Sequence, residues 1–159
     1  MSVYVRNRLR RTRVRQARFA RLAQQILKAA GEGTSELSVE LVGDRRMRRL
    51  NHQYRRKNRT TDVLAFPMRE SDNPWPALLG DVVISVPAAS RQAYEGGRRL
   101  EEELAALLVH GVLHLCGYDH ERSKGEASRM QRRERAVLKA IGSVPPFLTY
   151  RSVRRRRKL

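Results

Sequence analysis

Cysteine is almost missing from this chain of 159 residues: Cys116 stands alone, which excludes an intramolecular disulfide framework. Acid is scarce too, with 16 Asp and Glu against 34 Lys and Arg, a formal net charge of +18. Tryptophan occurs once and phenylalanine three times. No apolar run approaches the ~20 residues that a membrane-spanning helix needs. The basic start runs into more arginine rather than into an apolar stretch, so no secretory signal is expected. A reducing compartment follows for a chain with one thiol, and a cytoplasmic location is the expectation. What is present is enough apolar residue, 40% of the chain, for one domain with a real core.

The positive charge is unevenly spread. Residues 1–21 hold eight Arg and no acid; residues 147–159 hold five Arg and Lys158 with no acid. Residues 44–59 hold seven Arg and Lys57 against Asp44 alone, and the rest of the chain is close to neutral. Basic patches of this kind attract polyanions, with RNA or DNA the usual partner. Of the cations 29 are Arg, whose fork grips phosphate in a bidentate way that Lys cannot. An arginine-rich genome with solvated tails would give a similar count, but the middle patch is not a tail. The basic ends lack an apolar face, which argues against a membrane surface.

Hydrophobic periodicity predicts a first strand over residues 2–9 and a helix over 12–30, with Val14, Ala17, Leu22, Ile26 and Leu27 as its apolar stripe and Gly31 as its stop. Residues 36–42 alternate as a strand does. Gly43 and Asp44 then turn the chain into a helix reaching about residue 54, with Met47 and Leu50 on its inner side. Residues 62–67 and 79–86 read as strands, separated by a loop with two prolines over 70–77. Three helices follow, over 87–96, 100–116 and 123–141; the acids Glu101, Glu102 and Glu103 suit the positive end of the second. The expected fold is α+β: one domain over 1–146, a small mixed four-stranded sheet with about five helices, and a basic tail over 147–159.

Three of the four histidines fall in the run HGVLHLCGYDH, residues 110–120. On a helix His110 and His114 share a face one turn apart. Gly117 can take the left-handed conformation that ends a helix, and the chain then swings back to offer His120. Three protein ligands with a fourth position open is the arrangement of a catalytic metal site. Leu104, Leu107, Leu108, Val112 and Leu115 make the helix apolar nearly all round, and burying three titratable rings there without a metal would be costly. Cys116 points away from the ligand face and reads as core. Metzincin proteases share this ligand spacing, but their general base is the Glu after the first His, and here that position is Gly111. Asp119 can orient His120, assist proton transfer, or simply hold a local turn. His52, near Arg55, reads as a surface histidine ahead of a proton shuttle, and Asp62 and Asp81 read as capping residues at strand starts.

The run 110–120 resembles the signature of the YbeY family, the bacterial rRNA maturation endoribonucleases. LNHQYRRKNRTTDVLAFP (50–67), LLGDVVIS (78–85) and the Glu-rich lead into the histidine helix are similar in order and spacing. The resemblance implies a zinc-dependent endoribonuclease that prefers single strands, with one Zn²⁺ per chain on His110, His114 and His120. It implies a role in 16S rRNA 3′ end maturation and ribosome quality control. It places the catalytic roles on His114 and on Arg55, whose guanidinium suits a phosphate clamp. It also implies small-subunit rRNA and the ribosome or its proteins as partners, with no membrane and no small-molecule cofactor. The chain departs from the common pattern at Ala65, where Ser is usual, and at Arg56, where Gly is usual. A non-catalytic assembly factor with a structural metal, or a peptidase, are the competing readings, and Gly111 argues against the peptidase.

Overall fold

The computed structural model describes residues 3–55, 61–69 and 77–150. In chain order its elements are β1 (Val3–Asn7), β2 (Thr12–Val14), α1 (Gln16–Ala29), β3 (Glu36–Val42), α2 (Asp44–Arg55), β4 (Val63–Pro67), β5 (Leu78–Ser85), α3 (Val86–Glu95), α4 (Leu100–Leu115), α5 (Lys124–Ile141) and β6 (Leu148–Tyr150). The α+β expectation holds: five helices pack on a four-stranded mixed sheet of order β1-β3-β5-β4. β1, β3 and β5 run parallel, and β4 returns antiparallel to β5 at the sheet edge.

Alternation along the strands divides the sheet into two unlike faces. Leu37, Val39 and Leu41 of β3, with Val82 and Ile84 of β5, are buried against α1 and α4. The second face carries Tyr4, Arg6, Ser38, Glu40, Val42, Asp81 and Val83, the intervening residues of those strands. Among the described residues only α2 lies across it, where Met47 and Leu50 cover Val42, Leu64 and Val83. Asp44, at the start of α2, takes Arg91 of α3 and the Ser85 hydroxyl, tying that helix to the end of β5.

Helix α4 is the axis of the main core. Leu104, Ala105, Leu108, Val109, Val112 and Leu113 are fully buried, which fits a helix apolar on nearly every side. Its buried acid, Glu103, is matched by an ion pair with Arg98. Close packing on the sheet is recorded at Gly80, where β5 bulges against β3 and φ is +155°. A Cβ there would meet the Phe66 carbonyl oxygen and come 2.8 Å from Leu115 Cδ2.

The expected helix over 12–30 needs correction. Its first residues form β2, and the helix starts only at Gln16. Thr12 and Val14 are β-branched and favour extended backbone. Their partner is β6, with Thr12 opposite Tyr150 and Val14 opposite Leu148, so no local pattern announced the strand. Phe147 is fully buried with its ring edge-on to Phe19, centroids 5.1 Å apart, so packing continues into residues that charge alone assigned to a tail. Residues 151–159 of the expected tail, 70–76 of the expected loop, and Arg56 lie outside the described residues.

Candidate metal centre

The apolar surroundings of α4 fix the direction in which its histidines face. With leucine and valine turned to the core, His110 and His114 emerge one turn apart on the side toward β4, their ring centroids 4.8 Å apart. The helix ends at Leu115, and Gly117 follows with φ +98°. The Gly117 amide donates to the His114 carbonyl and the Tyr118 amide to the Leu113 carbonyl, the paired bonds of a left-handed helix stop. The chain reverses there and returns His120 to the other two rings, at centroid distances of 5.2 Å and 5.1 Å. Asp119 holds this turn: its Oδ1 accepts from the Glu121 amide at 2.9 Å.

One ligand atom from each histidine lies within 4.8 Å of the others, the only such cluster of His, Cys, Asp or Glu among the described residues. His114 Nε2 and His120 Nδ1 are 3.2 Å apart. Two nitrogens each ~2.0–2.1 Å from a tetrahedral ion stand about 3.3 Å apart, so this pair already has the spacing a bound ion requires. His110 donates from Nδ1 to Glu134 Oε1 on α5 at 2.7 Å, which holds the proton on Nδ1 and leaves Nε2 as the free ligand atom. Burial lowers the pKa of His114 first, and the neighbouring His110 and His120 lower it further. A neutral imidazole with an available lone pair is what metal ligation needs. The donor set therefore fits a single divalent ion with an open coordination position.

Glu134 was not singled out in the sequence, where it sits among Arg132, Arg133 and Arg135. The signal existed: Glu134 stands four residues after Met130 and three before Val137, the two buried residues of α5. A charge on a helix's inner stripe needs a partner. We expect Glu134→Ala to weaken metal retention about 10–100-fold, the usual effect of removing a carboxylate behind a ligating histidine. Competition with a chromophoric chelator would measure it, and unchanged retention would remove Glu134 from the site.

The rings open into a cleft of about 880 Å³. One wall is β4, the edge strand; the others come from the 117–122 turn and from Tyr54 at the end of α2. Arg55 is the last residue of α2, directly after Tyr54, but its side chain lies outside what the structure describes. His52 is exposed on α2 and is not part of the cluster. Asp62 lines the cleft and accepts from Gln92 at 3.0 Å, a structural bond to α3 rather than a turn cap. Asp81 lies elsewhere, in the groove on the second face of the sheet. Cys116 is half-buried and packed against the core, with its thiol pKa pushed up by burial.

Gly111 has a physical cause. A Cβ at this position would lie 2.7 Å from Val82 Cγ1 and 3.1 Å from Val82 Cγ2. Helix α4 rests directly on β5 there, and no side chain fits. Among the described residues the site thus has no acid at the place from which a zincin-type peptidase draws its base. A family model described as Endoribonuclease YbeY matches residues 4–142. The chain belongs to the YbeY family. It is 46% identical over 141 residues to Endoribonuclease YbeY of Geobacter metallireducens, covering 87% of this chain and 94% of that protein. It is 43% identical over 134 residues to the Aquifex aeolicus protein of the same name, covering 84% and 89%. The solution structure of TM1509 from Thermotoga maritima superposes with a TM-score of 0.62 at 26% identity, covering 87% of this chain and 88% of that one. The YbeY match includes all three histidines and Glu134, whereas Phe147 and β6 lie beyond it. Ala65, where the resemblance implies Ser, packs from β4 against the main core and lines the cleft.

Proposed function

We propose that this chain is a metal-dependent endoribonuclease acting on single-stranded RNA, with zinc as its metal and the 3′ end of small-subunit rRNA as its substrate. The observation that carries the reading is the three-histidine cluster facing an open cleft, in a chain whose relatives bear the name endoribonuclease. His110, His114 and His120 would hold the zinc ion, which would supply Lewis acidity at the phosphodiester. His110 is held in one tautomer by Glu134, and His114 is kept neutral by its surroundings. The role proposed for Arg55, which follows Tyr54 at the end of α2, is to neutralise charge developing on the phosphoryl oxygens. The arginines of α2 and of the chain ends support polyanion binding, and small-subunit rRNA and the ribosome are the partners proposed. The location proposed is the cytoplasm. Among the described residues no helix is long and apolar enough to cross a membrane.

The test is cleavage of single-stranded and duplex rRNA fragments by purified protein, before and after chelation, with bound metal counted. We expect single-strand cleavage at about one zinc per chain, loss on chelation, and recovery on adding zinc. RNA binding without cleavage, with metal bound, would favour an assembly factor instead.

The pH dependence has a definite sign. Because the pKa of His114 is lowered from 6.5 in the fold, the unfolded chain binds more protons in the window just below that value. Stability of the metal-free protein is expected to be full above about pH 6.5 and to fall as pH drops toward the folded value. Protons also compete with metal for the His114 ring, so metal occupancy should fall over the same range. Thermal melts and metal content between pH 5 and 8 would read both; a flat profile would contradict the assignment.

A further inference from the structure

Among the described residues the second face of the sheet is only half covered. Beside α2 it leaves a groove of about 590 Å³, whose lining includes Tyr4, Arg6, Arg46, Tyr54 and Phe66. The strand register sets a row across its floor: Tyr4 beside Ser38, Ser38 beside Asp81, Asp81 beside Phe66. The row spans three strand spacings, about 14 Å, with an aromatic ring at each end. Tyr4 is 57% exposed and Tyr54 is 59% exposed. Tyr54 stands edge-on to Phe66 with centroids 5.0 Å apart, and both rings line the metal cleft as well as this groove.

We infer that this open sheet face is a stacking platform for the single-stranded RNA that enters the metal cleft, with Tyr54 and Phe66 at the crossing and Tyr4 as its far base-stacking position. The inference rests on the proposed activity. Continuity is the first argument, since a strand leaving the histidines past Phe66 emerges on this face. Charge is the second. Arg6 and Arg46 line the groove, Glu40 is occupied by Arg8 at 3.0 Å and Arg46 at 2.6 Å, and five of the twelve residues of α2 are arginine. Flat exposed rings beside guanidinium groups are what unstacked bases use, whereas the centre of a protein-docking surface is depleted of charge. Asp81 does not oppose this, because a carboxylate beside a stacked base accepts from an exocyclic amine.

The test uses the zinc-loaded protein and uncleavable single-stranded probes, 2′-O-methyl phosphorothioate RNA of four and twelve nucleotides, with affinity read by fluorescence anisotropy at fixed salt. Tyr4→Ala is expected to bind the twelve-mer roughly tenfold more weakly, the loss of one stacked base. Tyr4→Phe should bind like wild type, because the ring and not the hydroxyl does the stacking. We expect the four-mer to seat in the metal cleft without reaching Tyr4, and so to bind equally to all three. Unchanged twelve-mer affinity in Tyr4→Ala would overturn the platform and leave this face to a protein partner. A parallel loss for both lengths, or an equal loss in Tyr4→Phe, would also overturn it. A wild type that binds the twelve-mer through Tyr4 but cleaves no single-stranded RNA would support the platform while refuting the proposed activity.

Discussion

His114→Ala is expected to give a folded protein whose RNA cleavage falls to background, a loss of at least about 10³-fold. The magnitude follows from losing several kcal/mol of charge stabilisation at the phosphorus, at ~1.4 kcal/mol per factor of ten. The fold should persist because the stability of α4 comes from other residues. Leu104, Leu108, Val112 and Leu113 are fully buried, whereas His114 stands at the cleft wall. Two histidines remain in the variant, and two ligands hold a divalent ion far more weakly than three. Metal content, melting temperature and cleavage should be measured on the same preparation. Loss of metal and activity with a melting temperature within a few degrees of wild type is the expected pattern. Wholesale unfolding would make the metal structural and favour the assembly factor. Retained cleavage in a metal-free variant would remove the histidine cluster from the chemistry.

The three-histidine cluster could be read from the sequence because it is local. His110, His114, Gly117 and His120 lie within eleven residues, and helix periodicity with one left-handed stop suffices to bring three rings together. Strands β1, β3, β4 and β5 were legible for a similar reason, since alternation is a property of each segment alone. Failures occurred where a partner is distant in the chain. Thr12 and Val14 look like the first turn of a helix until β6 pairs with them. Phe147 looks like the start of a charged tail until Phe19 is seen beside it. Glu134 looks like one charge among arginines until α5 packs against α4 and its carboxylate meets His110. The half-open second face is also a tertiary fact: Tyr4 and Phe66 come from the two outer strands of the sheet and meet nowhere in the sequence.

Gly111 links packing to chemistry, and replacing it should have the largest effect on stability. Gly111→Glu places a Cβ 2.7 Å from Val82 Cγ1 and 3.4 Å from Val63 Cγ2 before the rest of the side chain is accommodated. Val82 is fully buried and branched at Cβ, which restricts how far it can give way. Helix α4 would have to lift from β5 and carry a carboxylate into apolar surroundings. Overpacking alone costs about 1–3 kcal/mol, and an unpaired buried acid adds to it. For a domain of this size the melting temperature should fall by about 10 °C or more. Gly111→Ala tests the packing term alone and should cost roughly the lower part of that range. Lifting the helix also separates His110 and His114 from His120, which is held by its own turn, so metal affinity should fall with stability. No peptidase activity is expected from the new acid. Scanning calorimetry with metal titration on both variants measures these effects, and a Gly111→Glu protein as stable as wild type would show that α4 can move from the sheet without loss. The glycine that excludes the protease base is thus the residue that seats the histidine helix close enough for β4 to form the opposite wall of the cleft.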